Sequence, residues 1–131
     1  MTAMSEFRCA YFAKDFDATL AFYRNGLGLD MIDGWDRGPE DRGAMFAIAG
    51  AVIEIIAMPL VPPEVSPWDY SLPNGIHLVI EVPSAEEWYE LARVRGVTIR
   101  ESLKEQSWGQ RSVAIEDPNG VILFLFERIG D

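Results

Sequence analysis

The sequence predicts an α+β fold of two βαβββ modules, with two packed sheets and one cleft between them. An internal repeat is the first reason. Arg8-Cys9-Ala10-Tyr11-Phe12 aligns with His77-Leu78-Val79-Ile80-Glu81 at an offset of 69 (8 to 77). Gly50-Ala51-Val52-Ile53-Glu54-Ile55-Ile56 aligns with Gly120-Val121-Ile122-Leu123-Phe124-Leu125-Phe126 at an offset of 70 (50 to 120). The second reason is punctuation. Pro59, Pro62, Pro63, Pro67 and Pro73, five of the eight prolines, fall between the two copies. Proline removes a donor and fixes its own backbone, so residues 59–74 are expected to be a linker rather than a helix or central strand.

The elements follow in order. Residues 7–13 read as a strand, apolar except for Arg8. Asp15 or Asp17 can cap the next helix, in which Phe16, Leu20, Tyr23 and Leu27 recur at helical spacing. Asn25-Gly26 and Gly28 end it. Met31 to Trp35 form a strand before the polar turn 36–41. Strands follow at 43–49 and 51–58, with Gly50 in the tight turn between them. The second module opens with strand 76–82. Ser84 and Glu87 form a capping box, and Trp88, Leu91 and Ala92 make the apolar stripe of a helix closed by Gly96. A short strand at 97–101, a polar loop and a strand near 110–116 come next. Asp117-Pro118-Asn119-Gly120 is a strong turn signal before the apolar strand 121–127. Module one therefore spans about 5–58 and module two about 75–128, within one domain of 131 residues.

Composition excludes several roles. The formal net charge is −10, from 21 acidic and 11 basic residues. Phosphate binding needs concentrated basic surface, so nucleic acid is not an expected partner. The acidic balance steers cationic or neutral ligands, although acidic surfaces serve mainly solubility. No apolar run is long enough to cross a bilayer, and no membrane partner is expected. The start, Met1-Thr2-Ala3-Met4-Ser5-Glu6, lacks the features of a secretion signal, which makes a cytoplasmic protein the expectation. A single cysteine, Cys9, allows neither an internal disulfide nor a multi-thiolate metal site.

Four stretches carry a resemblance that covers nearly the whole chain. They are Asp15 through Phe22-Tyr23 to Leu27-Gly28-Leu29, Gly50-x-x-Ile53-Glu54, Gly75-Ile76-His77, and Trp108-Gly109-x-Arg111 running into Asp117-Pro118-Asn119-Gly120. In this order the chain resembles the vicinal oxygen chelate superfamily, which includes glyoxalase I, extradiol dioxygenases and the fosfomycin- and bleomycin-resistance proteins. The resemblance implies curved mixed sheets around a cavity, closed within one chain or across a homodimer. It also implies that metalloenzyme members take metal ligands from the first and last strand of each module. Those places here are Arg8, Glu54, His77 and Phe124. Glu54 and His77 match the ligand types that the family uses, whereas Arg8 and Phe124 depart from them.

A firmly held dication needs at least three protein donors. Phe124 offers none, and a guanidinium cannot be deprotonated to become one. At about 4 Å and an effective dielectric near 20, a dication and the Arg8 charge repel by roughly 8 kcal/mol. Glu81 shares a strand face with His77, but four residues of strand span roughly 13 Å, too far to serve one ion. No cofactor is therefore expected. If a divalent metal did bind, Glu54 and His77 would hold it. The alternative for Arg8 and Glu54 is an ion pair, or an Arg8 contact with an anionic ligand group. A lone histidine on an apolar strand is ordinarily a wall residue, and the repeat is what makes His77 a candidate. Glu54 is the candidate general base, since burial raises a carboxylate's pKa, although Arg8 opposes the shift.

Trp35 and Trp108 lie near loops, where flat rings can stack on a planar or cationic ligand or seal an interface. Phe12, Phe46, Ile56, Val79, Ile122 and Phe126 are expected to point inward and make the cavity apolar. The expectation is a homodimeric, metal-free binder of a drug or a planar or cationic metabolite. Arg8, Glu54 and His77 set ligand polarity, while Trp35 and Trp108 stack and Phe12, Phe46 and Phe124 form walls. The alternative is a metal-dependent lyase or dioxygenase using Glu54 and His77.

Overall fold

The computed structural model describes residues 2–130. They divide into two compact units, Met1–Pro73 and Asn74–Asp131, so the proline-rich segment belongs to the first. No helix among the described residues is long and apolar enough to cross a membrane.

The first unit has strands β1 (Arg8–Ala13), β2 (Met31–Asp36), β3 (Arg42–Ile48) and β4 (Ala51–Ala57), with helix α1 (Phe16–Ala21) after β1. The sheet order is β1-β4-β3-β2. β1 runs parallel to β4, and the other pairs are antiparallel. Asp15 starts α1, because its Oδ1 accepts the Ala18 N–H at 3.0 Å and so satisfies a donor that the first turn leaves orphaned. The helix widens into a π turn at Phe22–Gly26, where the Leu27 N–H reaches the Phe22 carbonyl at 2.9 Å. That turn buries Phe22, Tyr23 and Leu27 on the sheet. Gly28 then takes a positive φ of 70°, which needs no Cβ.

The second unit repeats the plan with β5 (His77–Glu81), α2 (Ala85–Arg95), β6 (Thr98–Gln106), β7 (Gln110–Glu116) and β8 (Ile122–Arg128), in sheet order β5-β8-β7-β6. Ser84 Oγ accepts the Glu87 N–H at 3.2 Å, and Gly96 closes α2 in the left-handed region at φ 70°. Asp117 Oδ1 takes the N–H groups of Asn119 and Val121 at 2.8 and 2.9 Å. The Asp-Pro-Asn-Gly turn is thus held by a buried carboxylate.

One element differs from expectation. The strand expected at 97–101 runs on to Gln106, through register shifts at Ile99/Glu101 and Glu101/Lys104. β6 is an edge strand, so its polar residues can face water while the backbone still pairs with β7. Polarity there reads as a loop because one side of the strand has nothing to bury.

Candidate functional site

Strand register decides which side chains share a face, since side chains alternate along a strand. In the first unit Arg8 pairs with Val52, Ala10 with Glu54 and Phe12 with Ile56. Across β4, Glu54 pairs with Met45 and Ile56 with Gly43, and Gly43 pairs in turn with Trp35. Arg8, Ala10, Phe12, Glu54, Met45, Ile56 and Trp35 therefore lie on one face. The opposite face carries Ile53, Ile55, Ala44 and Phe46, each with no exposed surface. Tyr23, from the end of the α1 segment, packs its ring 5.8 Å from that of Phe46. The helix covers this second face, and the first is helix-free.

Phe46 is a correction. It was expected to line the ligand cavity, but its place opposite Ile53 sets it on the helix side beneath Tyr23. A one-residue difference in parity is enough to move a strand residue to the other face. Phe12 does stand on the helix-free face. There Tyr70, from the proline-rich segment, stacks on it with ring centroids 4.6 Å apart.

Arg8 and Glu54 are brought together. Arg8 Nη1 donates to Glu54 Oε1 at 3.2 Å, while Nε and Nη2 both donate to Glu6 Oε2, at 3.1 and 2.7 Å. These bonds, Glu6 first and Glu54 second, raise the Arg8 pKa further above its ordinary value. Glu6 escapes sequence reading because it precedes the first strand. Its one signal is the i,i+2 spacing to Arg8, which an extended chain turns into a shared face.

The ring of Trp35 lies over Gly43 of β3, in the space that a Cβ at that position would fill. Its indole Nε1 donates to Asp41 Oδ1 at 3.0 Å, and Arg37 Nε reaches Asp41 Oδ2 at 2.8 Å. Arg37, more than Trp35, holds the Asp41 carboxyl below its ordinary pKa. Burial raises the pKa of the Cys9 thiol.

The second unit shows the same register at the matched places. His77 pairs with Ile122 as Arg8 does with Val52, and Val79 with Phe124 as Ala10 does with Glu54. His77 is exposed at the head of β5. Phe124 is half-buried, with its ring 6.4 Å from that of Phe126. Trp108 stands in the β6–β7 turn, 62% exposed, and donates its Nε1 to Gln110 Oε1 at 2.8 Å.

A profile of the Glyoxalase/Bleomycin resistance protein/Dioxygenase superfamily matches residues 7–124. The chain belongs to this superfamily. No curated protein matches it. Among solved structures, this superfamily member is similar to TioX from Micromonospora sp. ML1, at 16% identity and TM-score 0.75, covering 96% of this chain and 100% of that one. It is similar to a lactoylglutathione lyase from Agrobacterium tumefaciens, at 20% identity and TM-score 0.73, covering 96% and 95%. A superfamily member from Sphaerobacter thermophilus DSM 20745 aligns at 24% identity and TM-score 0.72, covering 96% and 98%. At these identities the likeness shows the shared fold.

The residues at the four places where the resemblance puts metal donors do not fit a chelated dication. Phe124 has no lone pair to give, and Arg8 adds a fixed positive charge. The Glu54 carboxylate already accepts from that guanidinium. Among the described residues no group of three or more His, Cys, Asp or Glu is gathered that could hold an ion.

Proposed function

We propose that this superfamily member binds a small planar organic molecule without a metal, positively charged molecules included, and does not act as a metal-dependent lyase or dioxygenase. The observation that carries the reading is the Glu6–Arg8–Glu54 cluster. The carboxylate at a donor position is engaged by a guanidinium at another donor position, 3.2 Å away. Phe12, Met45, Ile56 and Trp35 share the strand face of that cluster, and Tyr70 stacks on Phe12, so aromatic and aliphatic surface of the kind that walls small-molecule sites adjoins it. Two carboxylates against one guanidinium leave the cluster net negative, which favours a ligand with a positive group, as does the overall charge of −10. A homodimer belongs to the same reading. The exposed apolar side chains Leu60, Val61, Val65 and Trp68 support it, and a solution mass twice that of one chain would test it.

The test is metal content together with ligand-induced melting. Purified protein should carry far less than one metal ion per chain and melt unchanged after dialysis against a chelator. A planar ligand at a concentration of about 100 times its Kd should add roughly 2.7 kcal/mol, which raises Tm by several degrees. Stoichiometric nickel, zinc, iron or manganese, lost in both Glu54→Ala and His77→Ala, would replace this reading with the metalloenzyme.

A further inference from the structure

A guanidinium has a docking edge formed by Nε and one terminal nitrogen, and it matches the two oxygens of a carboxylate. In Arg8 that edge is occupied in an incomplete way. Nε and Nη2 both point at one oxygen, Glu6 Oε2, so the fork-to-fork pairing of two N–H groups with two oxygens is not made. The far side of Arg8 is anchored differently. Nη1 is held by Glu54, whose side chain is only 15% exposed and sits on β4, inside the sheet.

Glu6 has no such support. Its side chain is 49% exposed, it precedes β1, and the backbone beside it is tied to the sheet at Phe7, whose carbonyl accepts the Val52 N–H at 3.0 Å. An exposed pair of this kind biases an equilibrium by only about two- to fivefold. Along the same face Ala10 leaves a low floor next to Arg8. Phe12 with Tyr70 stacked on it follows, about four residues of strand or roughly 13 Å from Arg8.

We propose that the Nε/Nη2 edge of Arg8 is a carboxylate-binding subsite, that Glu6 fills it as an internal stand-in, and that a small aromatic carboxylate displaces Glu6. The ligand's body then runs over Ala10 towards Phe12. The inference rests on the metal-free reading above, because a chelated dication would claim Glu54 and repel Arg8. One carboxylate replaces another, so the charge in contact with Arg8 is unchanged. The freed Glu6 turns to solvent, where its field is screened beyond about 8 Å. An amino group on the same ligand would re-pair Glu6, so aromatic zwitterions fit the subsite as well as simple acids.

Indole-3-propionate and tryptamine share a ring and differ in charge, which makes them matched probes for calorimetric titration of the full chain. Indole-3-propionate should bind, Glu6→Gln should tighten it about two- to fivefold, and tryptamine should gain nothing from that substitution. Arg8→Lys, which keeps the charge and loses the fork, should weaken indole-3-propionate roughly tenfold. The Arg8 Nε–H resonance should move on saturation with the acid. Unchanged affinity in Glu6→Gln, a stationary Nε–H signal, or binding of tryptamine alone would overturn the subsite. So would the failure of both probes to bind. None of those results bears on metal content, so the metal-free reading stands or falls separately on the metal analysis.

Discussion

The two units share strand order and register at matched places, yet their helix-free faces carry different side chains at those places. In the first unit that face carries the Glu6–Arg8–Glu54 cluster and Trp35. In the second it carries His77, an exposed Val79, the rings of Phe124 and Phe126, and Arg128, which lies 5.6 Å over the latter ring and pairs with Glu81 at 3.1 Å. The helix-covered faces correspond closely: Ile53 and Ile55 in one, Leu123 and Leu125 in the other, all buried. Register is fixed by the side that must bury its side chains, because a one-residue slip would turn every one of them to the wrong face. Once the helix side holds the register, the other side is free to diverge. The difference between the units therefore lies on the face that the shared register leaves free to vary.

The largest expected effect tests that division of labour. Phe46→Ala should cost about 3–5 kcal/mol, since Phe46 has no exposed surface and stands against Tyr23. Phe12→Ala, on the helix-free face and half-buried, should cost clearly less. Urea denaturation of both variants gives the comparison directly. Equal losses would mean that the two faces are not distinct in the way the register implies.

A sharper contrast lies one row along the sheets. Gly43 pairs with Ile56 in the first unit, and Ser112 pairs with Phe126 in the second, so the two occupy matched places. Gly43 is needed because the Trp35 ring occupies the space of a Cβ. Gly43→Ala should therefore cost about 1–3 kcal/mol and shift Trp35 fluorescence as the ring is pushed off the sheet. Ser112 carries a side chain without conflict and accepts a hydrogen bond from Gln106 Nε2 at 2.8 Å. Ser112→Ala should lose only about 1 kcal/mol, the usual net value of one such bond. If the two substitutions cost the same, Trp35 is not what demands the glycine.

Much of the frame was legible because repetition and punctuation are local signals. The repeat alignment places Arg8 opposite His77 and Glu54 opposite Phe124, and the two observed registers pair these positions in the same way. Asp15, Ser84, Gly96 and the Asp-Pro-Asn-Gly turn each act within a few residues, and each holds its element as their chemistry requires. Three things were not legible. The face of Phe46 depends on strand parity, which a shift of one residue reverses. The outer half of β6 is polar because it is an edge, and composition alone cannot separate an edge strand from a loop. Glu6 and Tyr70 join the helix-free face from segments outside any regular element, so no periodicity announces them. Arg8 and Glu54 could be named from sequence, but the second carboxylate that shares the guanidinium could not.

The smallest expected effect compares the two hairpin tryptophans. Trp35 donates its indole N–H to Asp41, whereas Trp108 donates to the amide oxygen of Gln110. Only the first acceptor titrates. Arg37 holds the Asp41 pKa below its ordinary 3.8, so the folded form of this carboxyl is the more acidic one. Its contribution is then fully present above the ordinary value and is lost as pH falls through the lowered one. Asp41 and Arg37 are exposed, so the loss should move Tm by no more than about a degree. The fluorescence of Trp35 is the better reporter. It should change in the acid range below pH 4 as the indole loses an anionic acceptor. That transition should vanish in Asp41→Asn, which keeps a neutral acceptor at the same place, and in Trp35→Phe, while Trp108→Phe should leave it intact. A transition that instead disappears in Trp108→Phe would assign the acid response to the wrong hairpin and remove the electrostatic distinction between the two units at their turns.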